Sequence, residues 1–494
     1  MSELQGCTSS ILYQNTSRTV TLIDIPTSIV VAQRLAEHNS NKLEPSTFKD
    51  GGPILLSCDP LQHPYPKPPE PKSEKSRNRI LAQIPSSQQR FHSEIVPIIS
   101  NALQEIRERH HANWCLPRHT RLSNHVVQQG DSDLHERNEG VAELDQEEHP
   151  PKRKRSDPDA GSPSVNLEEP TFISTNKVPS QSCCYSALNE PPLILSPGIN
   201  QVPGLDEIQG IIVQNPTRVR TVLNIKSEQQ PCTTTGNGSF PPEYITVNIP
   251  PESTFINCHL TPPTKSHPGP IPALSSDTKF NFILMDPPWP NRSVRRSSHY
   301  KEHAGPLQPI IEGTLRNHLH PQQALVAIWI TNSLKSRFAT LNALDAAGLH
   351  PFEEWVWVKT TTDGQPAWPL DGLWRRPYEV LILAHREKHV AEDNNGERHT
   401  NFCEIRRRVI VAVADIHSRK PNLKELIENI FFSSPAQSCN GTSNDEERHL
   451  TGRYSGLEVF ARNLTAGWWA CGNEVIRYNW KGWWAEKKNT ENDA

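Results

Sequence analysis

The apolar run Phe280-Asn-Phe-Ile-Leu-Met285 ends abruptly in Asp286-Pro-Pro-Trp289, and this junction constrains the fold more than any other stretch of the chain. A run with so few polar positions reads as a buried strand. The strand leaves a carboxylate, two rigid residues and a large aromatic at its carboxyl end, the place where open α/β sheets bind ligands.

From about Glu243 onward, short β-branched and aromatic runs alternate with helical patterns, which predicts an α/β sheet. Strands are expected at Tyr244 to Ile249, Phe280 to Met285, Ala324 to Ile330, Glu354 to Lys359, Glu379 to Ala384, Arg408 to Ala414 and Leu457 to Phe460. Helices are expected at Lys335 to Ala347 and at Asn422 to Phe432, the second opening on Pro421 and Asn422. Asp393 to Asn401 and Ser433 to Arg448 read as loops, the latter as a disordered insertion.

Composition places the core in the same half. Of 45 prolines, 33 precede Thr278, whereas 11 of 12 tryptophans follow it. Residues 241–486 therefore read as the folded domain and residues 1–240 as a mostly disordered, Pro/Ser-rich region. Two helical segments stand out within it, Ser28 to His38 and Gln88 to His110. In the second, Phe91, Ile95, Ile98, Ile99, Leu103 and Ile106 form an apolar face, although Pro97 interrupts it. That face predicts either a docking helix for the C-terminal domain or a partner, or a helix of a small accessory domain.

The run Pro151-Lys-Arg-Lys-Arg155 reads as a nuclear address, a solvated charge run being the bland alternative. A formal net charge of −4 gives no global positive field, so nucleic-acid binding requires local basic patches. Ten cysteines without a repeated C-x-x-C spacing predict reduced thiols and no structural metal. His299, His303, His318 and His320 fit no common metal-site spacing and read as structural. No apolar run approaches the length needed to span a bilayer, and an intracellular protein is expected.

Further motifs follow the tetrapeptide in a fixed order: Ser293-Val-Arg-Arg-Ser297, Ile328-Trp-Ile-Thr-Asn332, Glu354-Trp-Val-Trp-Val-Lys359, Arg376-Pro-Tyr-Glu379, His417-Ser-Arg-Lys-Pro421, Leu457-Glu-Val-Phe-Ala-Arg-Asn-Leu464 and Gly472-Asn-Glu474. Together with Asp-Pro-Pro-Trp they resemble the MT-A70 family of adenine-N6 methyltransferases, and within it the branch called methyltransferase-like protein four. The resemblance covers about Glu243 to Trp484. It implies a Rossmann-like class I methyltransferase sheet with permuted motif order, the catalytic tetrapeptide preceding the cofactor strand.

The implied reaction is methyl transfer from S-adenosylmethionine to the N6 amine of adenine in nucleic acid, RNA more than DNA. The branch implies 2′-O-methyladenosine in small nuclear RNA as substrate. The amine lone pair is delocalised into the purine, so it must be held and polarised before it attacks. Asp286 can accept a hydrogen bond from it, Pro287 and Pro288 remove backbone donors and leave loop carbonyls as acceptors, and Trp289 offers a stacking face.

The resemblance assigns Lys420 to the methionine carboxylate and Arg462, Asn473 and Glu474 to the ribose and nearby polar atoms. Glu458 is assigned to support of the ribose or of Arg462, and Asp286 borders the cofactor. Ser293, Arg295 and Arg296 form a cationic loop suited to a phosphate. Trp357, Lys359, Tyr378 and Glu379 are expected around the acceptor pocket, with Trp357 read equally as core. Trp480, Trp483 and Trp484 read as a cap on the sheet edge. A noncatalytic nucleic-acid-binding subunit is the competing reading. An ordinary dinucleotide enzyme lacks its glycine fingerprint.

Overall fold

The computed structural model describes residues 9–35, 54–67, 70–71, 73–120, 190–227, 244–265, 269–290, 306–373, 375–386, 405–416, 419–432 and 454–485. The basic run at 151–155, the Ser293, Arg295 and Arg296 loop, and the loops expected at 393–401 and 433–448 lie outside the described residues.

The N-terminal segments hold β1 (Ile11–Gln14), β2 (Val20–Ile23), α1 (Ile25–Ala32), β3 (Ile54–Ser57), α2 (Glu74–Leu81), α3 (Ser86–Arg109) and β4 (His119–Thr120). Then come β5 (Leu193–Ile194), β6 (Ile199–Val202), β7 (Ile212–Gln214), β8 (Thr221–Lys226), β9 (Tyr244–Ile249) and β10 (Thr254–Asn257). The C-terminal half adds β11 (Phe282–Met285), α4 (Leu307–His318), β12 (Leu325–Ile330), α5 (Leu334–Ala346), β13 (His350–Thr360), β14 (Tyr378–His385) and β15 (Arg406–Val413). It closes with α6 (Lys424–Ile427), β16 (Gly456–Val459), β17 (Trp468–Gly472) and β18 (Trp484–Ala485).

Twelve strands form one sheet in the order β1-β2-β15-β13-β14-β12-β11-β16-β17-β10-β7-β5. From β2 to β10 every strand runs the same way except β14, which pairs antiparallel with both neighbours. The strand ahead of Asp-Pro-Pro-Trp thus lies beside β16, a strand from far later in the chain. This is a mostly parallel, Rossmann-like sheet in which the tetrapeptide strand precedes its neighbour, as the permuted order predicts.

Each expected strand exists within a few residues. The second expected helix is only partly α: α6 gives way to a π turn at Glu428–Phe432. Helix α1 begins earlier than expected because buried Asp24 caps it, accepting from the Thr27 amide at 3.1 Å and hydroxyl at 2.6 Å.

The described segments before residue 241 contribute far more than two helices, so the domain does not begin there. β2 extends the sheet against β15, and β7 extends the other edge against β10. These four-residue and three-residue strands carry too little periodicity to be recognised alone, and their partners are distant in sequence. Helix α3 packs on the same domain: Ile95, Ile99, Leu103 and Ile106 join Val356, Val409 and Val411 in one core. The docking-helix reading for the C-terminal domain is the one the packing supports. Pro97 sits on the exposed side of α3, so the Ser93 carbonyl that loses its helical donor lies away from the buried face, which is undisturbed.

Candidate active site

Alternation along the strands sorts the expected site residues between the two faces of the sheet. On β12, Trp329 joins the core with Leu284, Trp355 and Trp357, while Ile330 joins the opposite core under α3. Asp286 follows β11 and its amide donates to the Val459 carbonyl at 3.3 Å, which ties the tetrapeptide to the end of β16.

Four charges alternate across the first face. The Lys420 ammonium lies 3.0 Å and 3.2 Å from the two oxygens of Asp286 and 3.1 Å from Glu379, and Lys359 meets Glu379 at 2.7 Å. Lys420 also sits 5.4 Å over the Trp329 ring, and Lys359 lies 4.6 Å over Trp357. Burial works against ionising Glu379, but the two lysines outweigh it and hold its carboxyl well below the usual range. Burial likewise disfavours the Lys420 charge, yet Asp286 and Glu379 overcome it and raise its pKa.

A cleft at this edge is lined by Asp286, Arg419, Lys420, Asn422, Glu458, Phe460, Arg462 and Asn463, among others. Asp286, Lys420, Glu458 and Arg462 therefore converge, as their motifs predict. Neither Asn473 nor Glu474 is among the lining residues. Glu474 is connected indirectly, holding Arg462 at 2.9 Å and Arg477 at 3.0 Å, while Asn473 follows β17, half-buried.

Other assignments change. Tyr378 turns to the opposite face, buried against α3 with its hydroxyl on His92 Nδ1, because it is adjacent to Glu379 on a strand. Trp357 is 2% exposed and belongs to the core rather than to a pocket wall. The Pro287 carbonyl is already engaged by the Trp289 amide at 2.8 Å, so less of its acceptor capacity is left than the two prolines alone suggest. Trp289 is half-buried and anchored by its indole N–H, which donates to the Trp329 carbonyl at 2.7 Å.

The sequence reading missed Arg419, Asn422, Phe460 and Asn463 as cleft residues. Arg419 stood in view within His-Ser-Arg-Lys-Pro, but its burial is a tertiary effect. Its guanidinium contacts Asp415 at 3.2 Å and the Leu56 carbonyl at 2.9 Å, and lies over both the Tyr478 and Trp483 rings. Trp483 thus braces the residue beside Lys420, and Trp484 closes the small β18-β3-β4 sheet.

Phe460 adopts a positive φ of 61°, rare for a bulky residue, and turns the chain out of β16 towards Arg462. Gly472 opposes it with a φ of 149°. A Cβ there would meet the Phe460 Cα at 3.2 Å, so glycine is required for the close approach.

Several polar atoms in the cleft are enclosed without a hydrogen-bond partner: Glu458 Oε2, Asn463 Nδ2, and Arg419 Nε and Nη2. Unmatched buried groups cost about 1–3 kcal/mol each, so their gathering suits a polar ligand with complementary groups. The cleft holds about 30 Å³, so a nucleoside-sized ligand requires lining side chains to rearrange around it. His318, by contrast, is buried in α4 against the Thr278 carbonyl, and its pKa falls to about 4 through burial. Among the described residues, no group of three or more His, Cys, Asp or Glu is placed to hold a metal ion.

Burial, and then the nearby Asp286, push the Glu458 carboxyl up to about 8. The folded state therefore holds a proton that the unfolded chain releases above about pH 4.5, so this residue costs increasing stability between about pH 4.5 and 8, and a constant amount above that. Glu458→Gln is expected to remove that slope and to stabilise the protein by roughly 2–4 kcal/mol at pH 9, with little change at pH 4. Denaturation curves across this range test it, and parallel curves for the two proteins contradict it.

A mostly parallel sheet with this charged cleft at its carboxyl edge has the Rossmann-like fold of methyltransferases. Residues 280–474 match the MT-A70 family model. The N6-methyladenosine RNA methyltransferase MTA1 of Cryphonectria parasitica is 36% identical over 214 residues, 42% of this chain and 55% of that protein. The protein of the same name from Pyricularia oryzae is 36% identical over 227 residues, 44% of this chain and 53% of its own length. The N(6)-adenine-specific methyltransferase METTL4 of Homo sapiens is 30% identical over 232 residues, 47% of this chain and 43% of its own length. The chain thus spans about half the length of the curated relatives it matches.

Proposed function

We propose that the protein transfers a methyl group from S-adenosylmethionine to the N6 amine of adenine in a nucleic acid. The observation that carries this reading is the convergence of Asp286, Lys420, Glu458 and Arg462 on one cleft at the carboxyl edge of the sheet. S-adenosylmethionine would supply an electrophilic methyl on sulfur. Arg419, Lys420, Glu458, Arg462 and Asn463 would hold it: the cations suit a carboxylate, and the enclosed oxygen and amide suit hydroxyls and ring nitrogens.

Glu458, with a pKa of about 8, is protonated at neutral pH and can donate as well as accept. Asp286 accepts a hydrogen bond from the target amine and steadies positive charge as it develops on nitrogen. Its link to Lys420 and, through it, to Glu379 fixes where that carboxylate points. Trp289, locked by its indole N–H, supports the base. Alignment of this kind can supply about 7–11 kcal/mol of barrier reduction without a covalent intermediate.

The names of the relatives favour RNA as acceptor, and 2′-O-methyladenosine in small nuclear RNA is the finer assignment drawn from the motif resemblance. The basic run Pro151 to Arg155 supports a nuclear site of action. The deciding experiment incubates the full chain with S-adenosylmethionine and RNA or DNA oligonucleotides, with and without 2′-O-methyladenosine, followed by mass spectrometry of the nucleosides. N6-methyladenine in RNA is the expected product. Methylated DNA alone overturns the RNA assignment, and no methylation in any oligonucleotide returns the protein to the scaffold reading.

A further inference from the structure

A second cavity, of about 260 Å³, opens on the α3 face of the sheet, between α3 and the start of α5. No motif assigned it a role. Its walls combine three kinds of group. Phe338 is 52% exposed although large and apolar, and Phe91 lies beneath the Arg337 guanidinium at 4.1 Å. Asn332 Oδ1 and Arg337 Nη2 are enclosed without a partner, which leaves one acceptor and one donor unmatched on lining residues. Arg90 lies at the exposed side and has no ion pair among the described residues.

Its position connects it to the candidate active site. Trp289 is anchored on the Trp329 carbonyl, and the next residues of the same strand end, Ile330 to Asn332, form the cavity wall. One face of β12 thus serves Lys420 and the other serves this cavity, at the same carboxyl edge. His92 in the wall is hydrogen-bonded to Tyr378, and burial, with Arg376 and Arg337 adding to it, lowers its pKa to about 4. It therefore adds no positive charge; Arg337 is paired with Glu354 and Glu94 in the wall with Arg407, which leaves Arg90 as the cation without an ion pair among the described residues.

An aromatic face, one donor, one acceptor and an outlying guanidinium match a base with its phosphate. We propose that this cavity is a subsite for the nucleotide next to the target adenine, its base stacked on Phe338 and its phosphate held by Arg90. The inference rests on the nucleic-acid reading above, but its test does not depend on methyl transfer.

The full chain, Phe338→Ala and Arg90→Ala are titrated into a fluorescein-labelled single-stranded RNA containing one adenosine, at several salt concentrations. Phe338→Ala is expected to weaken binding about tenfold. Arg90→Ala is expected to weaken it and to reduce the salt slope by about one. Both should keep the parent melting temperature and affinity for S-adenosylmethionine. A 5-iodouridine next to the adenosine should photocrosslink to peptides from α3 or α5. Unchanged affinity and salt slope in both variants, crosslinks confined to other segments, or no RNA binding by the parent chain overturns the proposal. If the parent binds RNA and transfers no methyl group, the catalytic reading fails while these binding arms still decide the subsite.

Discussion

Asp286→Ala is expected to lower the single-turnover rate of methyl transfer about 10³-fold at saturating S-adenosylmethionine, with the fold intact. The size follows from losing the charged acceptor at the reacting amine, where removal of one preorganised partner typically costs 10²–10³-fold. Asp286→Asn keeps an acceptor oxygen without the charge, so it should fall between the two, about 10-fold to 10²-fold down. Stability should change little. The Asp286 side chain is 24% exposed, and Lys420 keeps its contact with Glu379 when Asp286 is removed.

The same substitution has a second readout. Asp286 is the charge that, after burial, raises the Glu458 pKa. Its removal should therefore lower the pH at which Glu458 titrates, which carbon-13 NMR of the carboxyl can follow. Near-normal turnover in Asp286→Ala would rule out the proposed role, whatever the titration shows.

Lys420→Ala should have the larger effect on binding and on stability together. It removes the cation that bridges Asp286 and Glu379, leaving Lys359 as the remaining partner of Glu379. Truncating one member of such a group destabilises by about 2–3 kcal/mol when the site is mostly enclosed. Affinity for S-adenosylmethionine should fall about 100-fold, or about 2.7 kcal/mol, as measured by calorimetry.

The pH dependence has a definite sign. In the parent protein the Glu379 pKa is depressed, so its stabilising contribution is present above the unfolded value near 4.5 and is lost as pH falls below it. In Lys420→Ala much of that depression is gone. The stability gap between the two proteins should therefore be constant around neutral pH and should narrow as pH falls below about 4.5. Cofactor affinity unchanged within twofold would remove Lys420 from the binding site, and a gap that widens on acidification would contradict the charge argument.

Strands were legible wherever a run was long and apolar. β9 needed no adjustment, and β11, β12, β14 and β15 differ from expectation only at their ends. Local chemistry marked them, as it marked the apolar face of α3. β1, β2, β5 and β7 are only two to four residues long, and nothing in so short a span separates a strand from a loop until a partner strand supplies its hydrogen bonds. The same limit applied to the site. Tyr378 and Glu379 are adjacent in sequence and were grouped together, but the pleat of β14 sends them to opposite faces.

The amino-acid order alone determined that an acid, two prolines and a tryptophan would stand at the end of a buried strand, and which later polar residues would be available to meet them. Only the folded chain decided which did so. Lys420 and Asp286 are 3.0 Å apart because β11 and the loop after β15 open on one edge of the sheet, a pairing of distant segments that no local pattern encodes. Burial then fixed the electrostatics, since the desolvation that raises Glu458 and the lysines that hold Glu379 ionised exist only once the surrounding strands have excluded water.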